Sequence, residues 1–172
     1  MGRKWWWVAA GAVAVLVAVV VAGVLWPSPG KAKPRARVYR DHNACLLTDS
    51  RGVAGAEASG AWAGMREASL ATKARVQYLA VTGPATPENA GPFLAALVQR
   101  RCEVVVGVGP AQVTAVEAAA ARYPRVAFGV VGDGGPGVTG LAGGTVDEIR
   151  VTVGKFVTSA VNRPNPQKGA SR

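Results

Sequence analysis

Histidine occurs once in this 172-residue chain, at His42, and cysteine twice, at Cys45 and Cys102. So few imidazoles and thiols leave no set at zinc-ligand spacing, and two cysteines are too few for a disulfide scaffold. His42 precedes the first strand pattern, which puts it at the end of a parallel sheet opposite the ligand-binding end, remote from any serine or cysteine nucleophile there. There is no Gly-Lys-Ser/Thr phosphate loop, and Gly107-Val108-Gly109-Pro110-Ala111-Gln112 has glutamine where a dinucleotide fingerprint needs glycine. Asp147 and Glu148 are adjacent, so on a helix of about 3.6 residues per turn they diverge by about 100° and suit its first turn better than paired acid–base chemistry. These absences argue against an enzyme, a cofactor and a metal.

Acidic residues are also scarce, ten against twenty Lys and Arg, for a formal charge of +10. The excess is unevenly placed. Up to Arg40 there are seven basic residues and no acid, whereas from Asp41 to Asn162 ten acids meet ten bases, and Arg163, Lys168 and Arg172 follow in the tail. The folded part is therefore near neutral, and no nucleic-acid partner is expected. Lys31, Lys33, Arg35, Arg37 and Arg40 form a basic cluster able to attract anionic headgroups within about a Debye length; a soluble linker is the plainer reading of the same residues.

What the sequence does have is an uncharged apolar run, Trp5 to Trp26, with tryptophan at both ends. A bilayer core roughly 30 Å thick needs about 20 helical residues, and indole rings favour the two interfaces, so the run is expected to be a transmembrane signal anchor. It is longer than the apolar core of about 7–15 residues in a cleaved signal, and bulky Leu25, Trp26 and Pro27 stand where a cleavage site needs small residues. Residues 1–4 flank it, and 27–37 read as a Pro/basic linker. The basic cluster after the span outweighs Arg3 and Lys4 before it, which would hold the domain inside; the very short N-terminus favours the opposite orientation. The expectation is a single-pass cell-membrane protein with its C-terminal domain extracytoplasmic.

From residue 38 to 162 short apolar runs alternate with helical spacing. Ala44–Thr48, Val76–Val81, Glu103–Val108 and Val126–Val131 have the length and composition of buried strands. Between them, Ala54–Leu70, Pro87–Arg101 and Pro110–Arg122 carry helical patterns, with Pro87 and Pro110 suited to first helical positions. Alternation of this kind predicts an α/β fold: one doubly wound parallel-sheet lobe in a flavodoxin-like order. After Gly132 come the glycine-rich GDGGPG, a short run Val138–Leu141 and a last helix from about Val146 to Val161, and the composition of 163–172 predicts a disordered tail.

Ligands of such sheets sit beyond the carboxyl ends of the strands. Asp49, Ser50, Gly107, Gly109 and Asp133 fall there and are the candidate ligand-binding positions. Asp49 can accept hydrogen bonds from a solute hydroxyl or amine, although capping the following turn is its ordinary role. Glycine after a strand admits close backbone approach, but more often marks a tight turn. Cys45 and Cys102 fall near one end of neighbouring strands, where a disulfide is open to them in an oxidising compartment; two buried free thiols are the commoner arrangement.

Ala44–Gly52 (ACLLTDSRG), Ala61–Met65 (AWAGM), Val104–Gly109 (VVVGVG) and Tyr123–Val131 (YPRVAFGVV) together resemble the basic membrane protein family, the nucleoside-type substrate-binding components of ABC transporters. The four blocks come in that family's order across about Val38 to Gly132. The resemblance implies a periplasmic-binding-protein-like lobe that presents a small solute to a permease, with a spanning helix in place of the lipoprotein anchor. The chain departs from the family after Asp49, where Gly55, Ala56, Glu57 and Ala58 replace a stretch whose aromatic stacks on a base. It departs again at Gly132, where the family has an aspartate that here is displaced to Asp133. It also ends where the second lobe of such proteins begins. The resulting expectation is weak solute binding, or binding within a larger assembly such as a homodimer. The rival expectation is a non-enzymatic protein-interaction or sensor module using the exposed strand-tip surface.

Overall fold

The computed structural model describes residues 39 and 41–163. The run Trp5–Trp26, the linker and the tail after Arg163 lie outside the described residues; among those that are described, no helix is long and apolar enough to cross a membrane.

Five strands form one parallel sheet: β1 (Asn43–Thr48), β2 (Arg75–Ala80), β3 (Val104–Gly107), β4 (Ala127–Val131) and β5 (Val138–Leu141), in the spatial order β2-β1-β3-β4-β5. Four helices connect or follow them: α1 (Ala56–Thr72), α2 (Pro87–Gln99), α3 (Pro110–Ala120) and α4 (Val146–Asn162). The expected α/β lobe with its flavodoxin-like order is thus the observed one.

The central strands are apolar on both faces because both are covered. Ala44 and Leu46 of β1 pack with Val104 and Val106 under α1 and α4, whereas Cys45 and Leu47 pack with Val105 under α2 and α3. Each fully buried Leu or Val contributes roughly 1.5–3 kcal/mol relative to exposure. Cys45 and Cys102 are joined as a disulfide on the second face, their Cα atoms 5.9 Å apart, in place of the commoner pair of free thiols. Parallel pairing of β1 with β3 sets Cys45 opposite Val105, three residues after Cys102, and so brings the two distant cysteines into one neighbourhood where the bond closes.

Helix ends differ from the sequence expectation for local reasons. Before α1, Gly52 adopts a positive φ of 60° and Gly52–Ala54 turn as a short 3-10 segment, so the helix starts at Ala56 rather than Ala54. It runs past Leu70 to Thr72 because polar groups finish it: Thr72 Oγ1 donates to Ala68 O, Lys73 in the left-handed region donates its N–H to Ser69 O, and Ser69 Oγ donates to Ala74 O. α2 stops at Gln99, short of Arg101, whose φ of 61° turns the chain and lets Cys102 N donate to Leu97 O.

The run Val138–Leu141 is a fifth parallel strand reached without a helix. Parallel neighbours ordinarily need a crossover of a dozen or more residues. Here GDGGPG alone carries the chain back, and it passes so close to β5 that a Cβ on Gly134 would overlap Val138 O and Gly140 N. Only glycine fits that approach.

Candidate functional site

In a 2-1-3-4-5 sheet the connections leave β1 and β3 toward opposite faces, which opens a crevice between their carboxyl ends. A cleft of about 230 Å³ lies there, lined by Asp49 and Arg51 after β1, by Gly55–Ala58 at the start of α1, and by Val108–Pro110 after β3. Both helices that begin at its walls have glycine as N-cap, Gly55 for α1 and Gly109 for α3. Gly109 is required by conformation and by space: its φ is 102°, and a Cβ there would come within 2.7 Å of Gln112 Oε1.

Asp49 is the strongest polar feature of this cleft, and it is already engaged. Its Oδ1 accepts from the backbone N–H of Arg51 at 3.0 Å, and its Oδ2 accepts from Arg51 Nε at 3.0 Å and Nη2 at 2.7 Å. Gly52 N also donates to Asp49 O, closing the turn. Hydrogen bonding by the Arg51 side chain, aided by its backbone N–H and its charge, holds the Asp49 carboxyl below the usual carboxylate range against a smaller opposing desolvation. A carboxylate can accept about four hydrogen bonds, so one acceptor position on Oδ1 stays open to an incoming hydroxyl or amine. Arg51, with its side chain 72% exposed, folds over Gly55 and narrows the mouth.

The structure brings two of the five candidate positions together here, Asp49 and Gly109. Ser50 is exposed in the adjoining turn and is not part of the lining. Gly107 is buried beneath α3, where a Cβ would press on Val116 at 3.1 Å, so its smallness serves helix–sheet packing. Asp133 is exposed in the crossover after β4 and also lies outside the cleft lining. His42 bonds Glu103 through Nδ1 and Oε2 at the opposite end of the sheet. Among the described residues no three His, Cys, Asp or Glu side chains gather as a metal-ligand set.

Three residues of this region are not among the candidate positions read from the sequence. Arg51 and Glu57 line the cleft, and the Asp-Ser-Arg spacing is the available signal for the first, since an Asp commonly accepts from a backbone N–H two residues on. Gln112, which spoils the dinucleotide fingerprint, is 2% exposed and donates from Nε2 to Thr48 O at 3.4 Å, tying α3 to the end of β1 beside the cleft. Only the fold reveals that pairing.

No protein-family model and no curated protein matches the sequence. Among solved structures the chain is similar in fold to one described as "putative lipoprotein from Peptoclostridium difficile 630 (fragment)", at a TM-score of 0.57 and 11% identity, over 70% of this chain and 99% of that one. At that identity the likeness concerns the fold alone.

Proposed function

We propose that this chain is an extracytoplasmic solute-binding lobe, moored to the membrane by Trp5–Trp26 and akin to the basic membrane proteins, whose β1/β3 cleft receives a small nucleoside-like solute for an ABC permease. One observation carries the reading: Asp49 and Gly109, from two separate blocks of the family resemblance, line a single cleft at the topological switch point. Asp49 would accept from a solute hydroxyl, and Arg51 would move aside or share the carboxylate. The cleft is small beside the roughly 300–1,000 Å³ of a typical small-molecule site. That size supports a half-site, completed by a second lobe or a second copy, and with it the rival reading of an interaction or sensor module on the strand-tip surface.

Calorimetry and thermal shift of the full chain in detergent against a panel of nucleosides test the solute reading. A saturable response is expected from the wild type, stronger in Arg51→Ala and absent in Asp49→Ala. Silence from both the wild type and Arg51→Ala at millimolar nucleoside removes it. The interaction reading predicts concentration-dependent dimers by light scattering, and a strict monomer at high concentration counts against self-pairing.

A further inference from the structure

The near-neutral charge of the folded domain conceals a separation of charge between its two ends. Because all strands are parallel, every helix-to-strand return falls at the end where the strands begin. Lys73 lies between α1 and β2 and Arg75 opens β2, Arg100 and Arg101 lie between α2 and β3, Arg122 and Arg125 between α3 and β4, and Arg163 follows α4. All seven are exposed, and none has a salt-bridge partner among the described residues. The acids at this end are Asp41, Glu103 and Glu117; Glu103 is engaged by His42, and Glu117 lies near the end of α3 beside Gly135, ahead of β5. At the strand-tip end the balance reverses, with Asp49, Glu57, Glu88, Asp133, Asp147 and Glu148 against Arg51 and Arg150, the latter paired with Asp147 and with Glu67 of α1.

Helix dipoles favour acids at helix starts and bases at helix ends, which accounts for part of this placement. They do not account for Arg75, Arg101 and Arg125, which stand at or before strand starts, outside the helices. Two further observations bear on what this end meets. A groove of about 570 Å³ opens there, lined by Arg75 and Arg100 together with Tyr39, Asn43, Ser69, Val76 and Gln77. Tyr39 is 42% exposed, an amphipathic ring of the kind that settles at headgroup level. The polypeptide also enters the domain at this end, at Asn43, preceded in sequence by Lys31, Lys33, Arg35, Arg37 and Arg40.

We infer that this basic end is a docking face for an anionic phospholipid surface, with lipid phosphates taken by Arg75, Arg100 and their neighbours. Docked this way, the domain presents the β1/β3 cleft on the side away from the bilayer. The inference gains from the membrane anchor proposed above, but the face exists without it. Each basic residue near an anionic surface adds an attraction that shifts the docked-to-undocked ratio about fivefold.

The test uses the full chain with vesicles of phosphatidylcholine alone or mixed with phosphatidylglycerol. Fluorophores on Ala121→Cys, at the basic end, and Ala142→Cys, at the strand tips, are quenched by nitroxide-headgroup lipid. Stronger quenching at position 121 than at 142 is expected, only with phosphatidylglycerol, fading as salt rises from about 0.05 to about 0.5 M. The variant Arg100→Gln/Arg101→Gln/Arg122→Gln/Arg125→Gln should lose the difference while keeping its melting temperature. Equal quenching at both positions, quenching indifferent to lipid charge, or an unchanged result in the four-site variant overturns the inference, the last by assigning the attraction to the preceding basic residues. Tighter salt-sensitive binding to a DNA duplex than to the anionic vesicles also overturns it, by assigning the face to nucleic acid. Flotation with neutral vesicles at high salt reports the anchor separately: failure there with anionic docking intact removes the anchor alone.

Discussion

Gly64 in α1 lies directly against Arg150 in α4, where a Cβ would overlap the Arg150 carbonyl oxygen and come within 2.9 Å of Gly154 N. A Cβ on Gly60, one turn earlier, would likewise come within 2.6 Å of the Val146 carbonyl oxygen. The two helices over the first face of the sheet therefore meet backbone to backbone, with Ile149, Val153 and Met65 buried around the crossing. Gly64→Ala forces them apart and should cost about 2 kcal/mol, at the middle of the range for overpacking a core. Urea unfolding of wild type and variant, followed by circular dichroism, checks this; an unchanged midpoint would show that the helices separate freely.

The disulfide between Cys45 and Cys102 closes a separation of 57 residues. A loop of that length corresponds to about 4 kcal/mol of lost unfolded-state freedom on the chain-entropy account. Protein denatured without reductant should show no titratable thiol, and Cys45→Ala/Cys102→Ala should unfold at markedly lower denaturant. Two thiols reacting under those conditions would mean the bond is absent.

Asp49 supplies a pH dependence of known sign. Its carboxyl titrates below the usual range because Arg51 hydrogen-bonds the charged form. A depressed native pKa means the unfolded chain binds the proton more readily, so the stabilisation is complete above about pH 4 and is lost as the pH falls through the lower, native value. Asp49→Asn should flatten that acid limb of the stability curve. An identical slope in wild type and variant would contradict the pairing.

At the start of α4, Thr145 and Glu148 form a reciprocal cap: Glu148 N donates to Thr145 Oγ1 at 3.3 Å, and Thr145 N donates to Glu148 Oε2 at 2.8 Å. The Thr145 backbone N–H, followed by its side chain, holds the Glu148 carboxyl below its ordinary value, so this contribution too fades on acidification. Thr145→Ala should cost about 1 kcal/mol. Hydrogen exchange localised to the first turn of α4 would rise with it; a change spread evenly over the domain would point to some other cause.

The crossover after Gly132 and the cleft show how far residue pattern reaches. Alternating apolar runs and proline-started helices announced a covered parallel sheet, because burial on both faces leaves strands such as Val104–Gly107 apolar throughout. The strand Val138–Leu141 was visible as a run but not as a parallel partner of β4, since a six-residue glycine crossover carries no helical period. Asp49 was legible as a strand-tip carboxylate. Its capture by Arg51 was not, because exposed arginine side chains reach many places and sequence spacing alone does not choose among them.

The amino-acid order by itself determined the α/β class, the alternation of the elements and the two faces on which each strand residue would pack, since these follow from local periodicity and hydrophobic burial. Tertiary structure alone decided which strand tips meet at the β1/β3 cleft, that Cys45 and Cys102 bond, and that the domain's balanced charges separate into a basic end and an acidic end. The physical reason is the same for all three. Residues far apart in sequence come together only when parallel pairing sets every strand in one direction, and that direction sends the loops carrying arginine to one end and those carrying aspartate and glutamate to the other.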